Sequence, residues 1–172
     1  YHPMAEGTAV EGLRLVKENI QEVYHNGTNV EARAHMLVAS MMGAAAFQKG
    51  LGAIHSITHP VNSLYHTHHG TTNGTVMPFV LNFNRVTIEK KFDRLAKFLN
   101  IPNGFEGIVN WIIDLKKEME IPETLKDMGV NIGDEVKLAP LAQEDPSTGG
   151  NPLEMDENRF EKLIANCIEG KY

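Results

Sequence analysis

The residues best suited to chemistry in this sequence are its histidines. Five of the eight histidines fall between residues 55 and 69. His55 and His59 are four positions apart, so on a helix they would lie on one face, one turn apart, and could bind one metal ion. Neutral imidazole suits zinc, iron, copper and nickel, so this pair indicates a metal site without selecting the metal.

Each interpretation of this histidine cluster requires particular residues close to it. A zincin-type metalloprotease needs Glu directly after the first His, and Ser56 stands there instead. An isolated HxxxH pair is also typical of two partly exposed helix residues, but three further histidines close by favour a metal site. His69 could meet His55 if the chain doubles back. No carboxylate lies between Leu51 and Asn84, so an acidic ligand would come from elsewhere in the chain or from another polypeptide.

Other catalytic constellations are not supported. The glycine-rich Gly50–Gly52 lacks the spacing of a dinucleotide- or phosphate-binding loop, and it follows a predicted helix rather than a strand. The sequence contains no GxSxG motif. Cys167 falls on the apolar face of the last predicted helix, which indicates a core residue rather than a nucleophile.

Hydrophobic spacing predicts an all-α fold, a bundle of about seven or eight helices that would position these histidines. We find no convincing strand pattern. Residues 36–47 have no polar face, which predicts a buried core helix, and Pro78 predicts a kink or a break. Outside the histidine segment, the predicted helical segments are residues 3–23, 30–49, 71–84, 86–99, 104–119, 121–128, 134–141 and a last helix capped by Asp156.

Composition limits the class of protein. The chain has 172 residues, of which 42% are hydrophobic and 22% charged, which is typical of one globular domain. A net charge of −6 argues against nucleic-acid binding. No apolar run approaches the roughly 20 residues that cross a bilayer, so we expect no membrane partner. One unpaired cysteine fits a reducing, cytoplasmic compartment. The first methionine is Met4, so the chain is expected to be a piece of a longer protein.

Several spaced motifs in the histidine segment form a longer pattern. They are GLGAIHSITHP at residues 50–60, HGTTN at residues 69–73, Pro78, and NFN at residues 82–84. Together they closely resemble the signature of the iron-containing (group III) alcohol dehydrogenases. The resemblance extends weakly to residues 3–15 and 145–152, so it covers essentially the whole chain.

The resemblance implies that residues 1–172 are a single all-helical metal-site domain, the C-terminal domain of such an enzyme. The family's N-terminal α/β domain, which binds NAD or NADP, is absent from this chain. The family's divalent metal, usually Fe²⁺ and sometimes Zn²⁺, is held by one Asp and three His. By this resemblance His55 and His69 are two metal ligands, and His59 is a non-ligating catalytic histidine that contacts substrate or relays protons. No cofactor-binding residue is assigned in this chain.

Some positions depart from the family pattern. The family's Asp and first His lie just upstream of a point matching Tyr1, so this chain would carry half of a metal site. His68 stands where Pro is frequent, and Asn62 stands where Gly is common. Because of these two departures, the resemblance does not identify the substrate.

The intact enzyme would oxidise an alcohol, or reduce an aldehyde or ketone, by metal-assisted hydride transfer. Its partners would be a small alcohol or aldehyde and the missing N-terminal domain, and a homo-oligomer is compatible with the sequence. The isolated chain is expected to be inactive. The alternative is a non-catalytic helical metal-binding or scaffold module, and a third interpretation is a structural bundle with incidental histidines.

Overall fold

A computed structural model describes residues 2–172, which form an all-α fold without strands. This confirms the predicted fold class and the number of helices. In residues 2–172 there are seven α-helices: α1 (Pro3–His25), α2 (Val30–Ala46), α3 (Ala53–Tyr65), α4 (His69–Phe98), α5 (Gly104–Glu118), α6 (Glu135–Glu144) and α7 (Glu157–Glu169). Three short 3₁₀ helices lie at Phe47–Lys49, Lys126–Met128 and Thr148–Gly150.

The helix ends follow local capping chemistry. Asn29 accepts a hydrogen bond from the Ala32 N–H at the start of α2, and Asp156 accepts one from the Arg159 N–H at the start of α7. Gly50 has φ 91° after the 3₁₀ turn that ends the α2 segment, a conformation that favours glycine. The predicted cap at Asp156 is therefore confirmed.

Two predicted boundaries are wrong. Instead of two segments at 71–84 and 86–99, the structure has one 30-residue helix, α4, which continues through the buried Pro78 and ends at Phe98. A proline inside a helix removes one backbone hydrogen bond, which costs about 3 kcal/mol of stability. The helices α3, α5 and α7 pack along α4, and this packing offsets that cost. The segment predicted as helical over 121–128 contains only the 3₁₀ turn Lys126–Met128.

The predicted burial of residues 36–47 is also wrong. The helix α2 packs mainly against α1, where Gly12 lets the two backbones approach closely, since a Cβ there would lie 3.3 Å from Met42 Cβ. The opposite side of α2 is open among residues 2–172, and Leu37 and Met41 are 74% and 66% exposed. An apolar helix is buried only where neighbours surround it, and in this chain α2 has one principal neighbour.

The main core lies between α3, α4, α6 and α7. Its largest fully buried side chains include Ile57, Leu138, Phe160 and Ile164. Cys167 is fully buried in this core, as predicted, and burial raises the pKa of its thiol. Within residues 2–172 no single helix is long and apolar enough to cross a bilayer; only Val30–Lys49 and Ala53–Tyr65 meet that condition as a pair, bent by 108°.

A reciprocal amide pair fastens the start of α3 to the rest of the fold. The side-chain NH₂ of Asn84 on α4 donates to Asn151 Oδ1 at 2.9 Å, and the Asn151 NH₂ donates to Asn84 Oδ1 at 2.9 Å. Asn151 Oδ1 also accepts from the Ala53 N–H, and its NH₂ donates to the Leu153 carbonyl. Asn84 is 4% exposed. This pair therefore connects α4, the loop after α6 and the first residue of α3.

Asn151→Ala is expected to lower the free energy of unfolding by about 1–3 kcal/mol, because it leaves the buried Asn84 amide unpaired. Urea unfolding followed by circular dichroism measures this change. Asn110→Ala on the exposed face of α5 is the matched control and should change stability by less than about 0.5 kcal/mol. Equal stabilities of the two variants would show that the amide pair does not hold the fold.

Candidate metal centre

Two helices bring three imidazoles together. On α3, His55 and His59 lie one turn apart, with ring centroids 5.6 Å from each other. The helix is followed by His66, whose φ of 55° turns the chain back, and α4 begins at His69. The His69 ring lies 5.3 Å from that of His55 and 5.6 Å from that of His59. The three histidines singled out from the sequence therefore share one surface.

The remaining histidines make other contacts. His68 Nδ1 accepts from the Thr71 N–H and caps α4, and His2 caps α1 in the same way. His25 contacts Glu118, and His35 contacts Asn19. The dense histidine run thus separates into the three clustered rings and, at His66 and His68, a turn and a helix cap.

His55 is the half-buried member of the cluster. Burial lowers the pKa of its imidazole below the ordinary 6.5, and the neighbouring His69 and His59 lower it further, while Asp145 opposes them. The neutral form is therefore favoured near neutral pH. A neutral imidazole is the form that binds a metal ion, because its lone pair is free.

Sequence reasoning gave no role to Asp145, which approaches the cluster from 86 residues along the chain. Its Oδ2 lies 2.8 Å from His59 Nδ1, and its Oδ1 accepts from the Ser147 N–H at 2.8 Å. Burial raises the pKa of this carboxyl, but the hydrogen bonds with His59 and Ser147 outweigh burial and leave the pKa below its ordinary value. Asp145 is therefore an ionised partner of His59. Only the weak match at residues 145–152 pointed to this segment.

Two side-chain amides complete the surroundings of His69. The Asn62 Oδ1 lies 3.1 Å from His69 Nδ1. The NH₂ of Asn73 lies 3.0 Å from His69 Nε2 and 3.4 Å from His55 Nε2. Asn73 Oδ1 is buried and has no hydrogen-bond partner in this structure. The Nε2 atoms of His55 and His69 thus face the same amide, on the side where a shared ion would bind.

The cluster fits a partial metal site. Across residues 2–172, no three His, Cys, Asp or Glu side chains are arranged to hold one ion. The three rings are close, but Asp145 occupies one nitrogen of His59, its Nδ1. The Nε2 atoms of His55 and His69 both face the Asn73 amide, and two imidazoles alone do not complete a metal site.

Comparisons with known proteins show which family and which relatives this chain resembles. Residues 1–168 match the family model of the Fe-containing alcohol dehydrogenase family, C-terminal region. The chain is 34% identical to a 4-hydroxybutyrate dehydrogenase of Cupriavidus necator, with 98% of this chain covering 46% of that protein. It is 28% identical to a 1,3-propanediol dehydrogenase of Citrobacter freundii, with 97% covering 45%. The chain therefore spans about half the length of these relatives.

Solved structures agree with the sequence relatives. A crystal structure of 1,3-propanediol oxidoreductase superposes with a TM-score of 0.91 at 27% identity, over 97% of this chain and 46% of that one. An alcohol dehydrogenase from Oenococcus oeni gives the same TM-score and coverage at 22% identity, which shows the fold alone.

Asp145→Ala is expected to lower the free energy of unfolding near pH 7 by about 1–3 kcal/mol, because the Ser147 N–H and His59 lose their acceptor. The folded-state pKa of Asp145 lies below the ordinary 3.8. Its contribution is therefore complete above that value and is lost as pH falls through the folded pKa. In urea titrations the difference from wild type should shrink below about pH 4.

The matched control is Glu144→Ala, which removes the exposed carboxylate next to Asp145 in the chain. We expect this variant to keep wild-type stability within about 0.5 kcal/mol. A constant difference between wild type and Asp145→Ala from neutral to acidic pH would contradict a hydrogen-bonded, ionised Asp145.

Proposed function

The chain belongs to the Fe-containing alcohol dehydrogenase family, and on that premise we propose that it supplies the metal-binding C-terminal domain of an NAD(P)-dependent alcohol dehydrogenase. Residues 1–172 form a single helical domain in this proposal, and the nucleotide-binding domain lies outside them. One observation carries the proposal: the Nε2 atoms of His55 and His69 face the same Asn73 amide at 3.4 and 3.0 Å.

His55 and His69 are the two metal ligands from this chain. Fe²⁺ is the favoured ion, since the family is named for iron, and Zn²⁺ is the alternative because imidazole suits both. The remaining ligands come from outside residues 1–172. When bound, the metal supplies Lewis acidity toward the alcohol oxygen, and NAD(P) supplies the hydride acceptor.

His59 moves the proton. Its Nδ1 is held by Asp145, so its Nε2 is left to accept the proton that the alcohol releases. The side chain is 43% exposed, which lets the imidazolium pass that proton to water. Asp145 is a positioning residue: it orients the ring and stabilises the charge that His59 gains, as a carboxylate does behind a catalytic histidine.

The substrate is a small primary alcohol and its aldehyde. The relatives are named for 4-hydroxybutyrate, 1,3-propanediol and methanol, each of which carries a primary hydroxyl group. This shared group, rather than the rest of each molecule, is what a metal and a proton-accepting histidine would recognise.

The metal ligands are tested by metal binding rather than activity. We expect the 172-residue chain to bind Co²⁺, used as a spectroscopic substitute for Fe²⁺. His55→Ala and His69→Ala should each weaken binding more than about 100-fold, beyond the roughly 10–100-fold typical of outer-shell changes. His25→Ala, which removes an exposed histidine at the end of α1, is the control and should leave the affinity unchanged. Binding that survives both ligand substitutions would exclude this centre.

The proton-transfer role is tested in a chimera. The chain alone should not oxidise 1,3-propanediol with NAD or NADP, because it lacks the nucleotide-binding domain. Joined to the N-terminal half of the Citrobacter freundii relative, it should become active. In that chimera His59→Ala should lower kcat about 10²–10⁴-fold, the usual contribution of a general base. Turnover by the chain alone would refute the domain assignment, and an unimpaired His59→Ala chimera would refute the role of His59.

A further inference from the structure

The chain holds one of the proposed metal ligands by a contact that the family resemblance does not supply. We propose that Asn62 is a positioning residue that keeps His69 in the tautomer with hydrogen on Nδ1, so that the Nε2 lone pair faces His55. The inference rests on the proposed function. Asn62 occupies a position where the family commonly has Gly, which has no side chain to do this.

The orientation of the Asn62 amide is set by the turn between α3 and α4. Its NH₂ lies 3.0 Å from the backbone carbonyl oxygen of Thr67, and also contacts the hydroxyl oxygens of Thr67 and Thr72 at 2.6 and 3.0 Å. A carbonyl oxygen can only accept a hydrogen bond, so the group facing it must be the donating NH₂. The amide is therefore not free to exchange its two ends.

This orientation determines which nitrogen of His69 carries hydrogen. With the NH₂ turned to Thr67, Asn62 presents Oδ1 to His69 Nδ1 at 3.1 Å. Because Oδ1 only accepts, Nδ1 must be the donor, and a neutral imidazole has hydrogen on one nitrogen alone. The Nε2 of His69 is therefore left with its lone pair, which is the atom and the state that a metal ion needs.

Contacts on the other side of the ring agree. The NH₂ of Asn73 is within 3.0 Å of His69 Nε2 and 3.4 Å of His55 Nε2, an arrangement in which one donor faces two lone pairs. The Asn73 amide makes no contact that sets its orientation independently, since its Oδ1 has no partner. Thr67 therefore orients Asn62, and Asn62 sets the tautomer of His69; the Asn73 contacts agree with that tautomer.

The local backbone explains why position 62 can do this. Asn62 lies in the last turn of α3, and its own carbonyl accepts from the N–H of His66, where the chain reverses. The reversal brings His69 back over the end of α3, seven residues from Asn62. Thr72 on the first turn of α4 is fully buried, so its hydroxyl holds the Asn62 amide in place.

The experiment measures the tautomer directly. Long-range ¹H–¹⁵N correlation spectra of the ¹⁵N-labelled 172-residue chain, at about pH 8.5 where free imidazole is neutral, distinguish hydrogen on Nδ1 from hydrogen on Nε2. We expect wild-type His69 to carry hydrogen on Nδ1. Asn62→Ala should shift it toward the Nε2 form that free histidine prefers, because the acceptor that faces Nδ1 is removed. Asn110→Ala is the control and should match wild type.

Metal affinity supplies the second measurement. Asn62→Ala should weaken Co²⁺ binding about 10–100-fold, the range for outer-shell partners of histidine ligands. Wild-type His69 with hydrogen on Nε2 would overturn the proposal whatever the variants do. So would an Asn62→Ala chain with the wild-type tautomer or unchanged affinity. A wild-type chain that shows the Nδ1 form but binds no Co²⁺ would support the role of Asn62 and count against the metal centre itself.

Discussion

The site depends on how closely the loop after α6 approaches the start of α3. A Cβ on Gly150 would lie 1.9 Å from the Leu51 carbonyl oxygen, so only glycine permits this contact. The amide pair between Asn84 and Asn151 then holds the loop in place. The same loop brings Asp145 to His59. The contact also lies at the start of α3, whose first residue precedes His55 by two positions. One tight junction thus positions both the helix that carries two of the histidines and the carboxylate that acts on one of them.

A second constraint lies at the other end of α3. The turn at His66 returns the chain so that α4 begins beside the helix it has just left. Asn62 bridges the two helices, since its amide contacts both the turn and the His69 ring. Together the two junctions determine the distances among the three imidazoles. Two of the three rings, those of His59 and His69, are exposed.

The three histidines have different surroundings. Asp145, whose carboxyl pKa is lowered by its hydrogen bonds with His59 and Ser147, faces Nδ1 of His59. The neutral amide of Asn62 faces Nδ1 of His69 at 3.1 Å. Burial and two neighbouring imidazoles lower the pKa of His55 and also keep it neutral. A metal ligand must keep its lone pair free, whereas a proton carrier uses its lone pair to bind a proton. The proposed function assigns these two roles to histidines with different partners.

Much of this molecule follows from sequence alone. The helical class, the caps at Asn29 and Asp156, and the placement of His55 and His59 on one face depend on residues a few positions apart, and local spacing and capping chemistry decide them. Tertiary structure decided the rest. The continuation of α4 through Pro78 and the exposure of Leu37 on α2 depend on which neighbours pack there. The pairing of His59 with Asp145 joins residues 86 positions apart, and no local pattern encodes a contact made by the return of a distant loop.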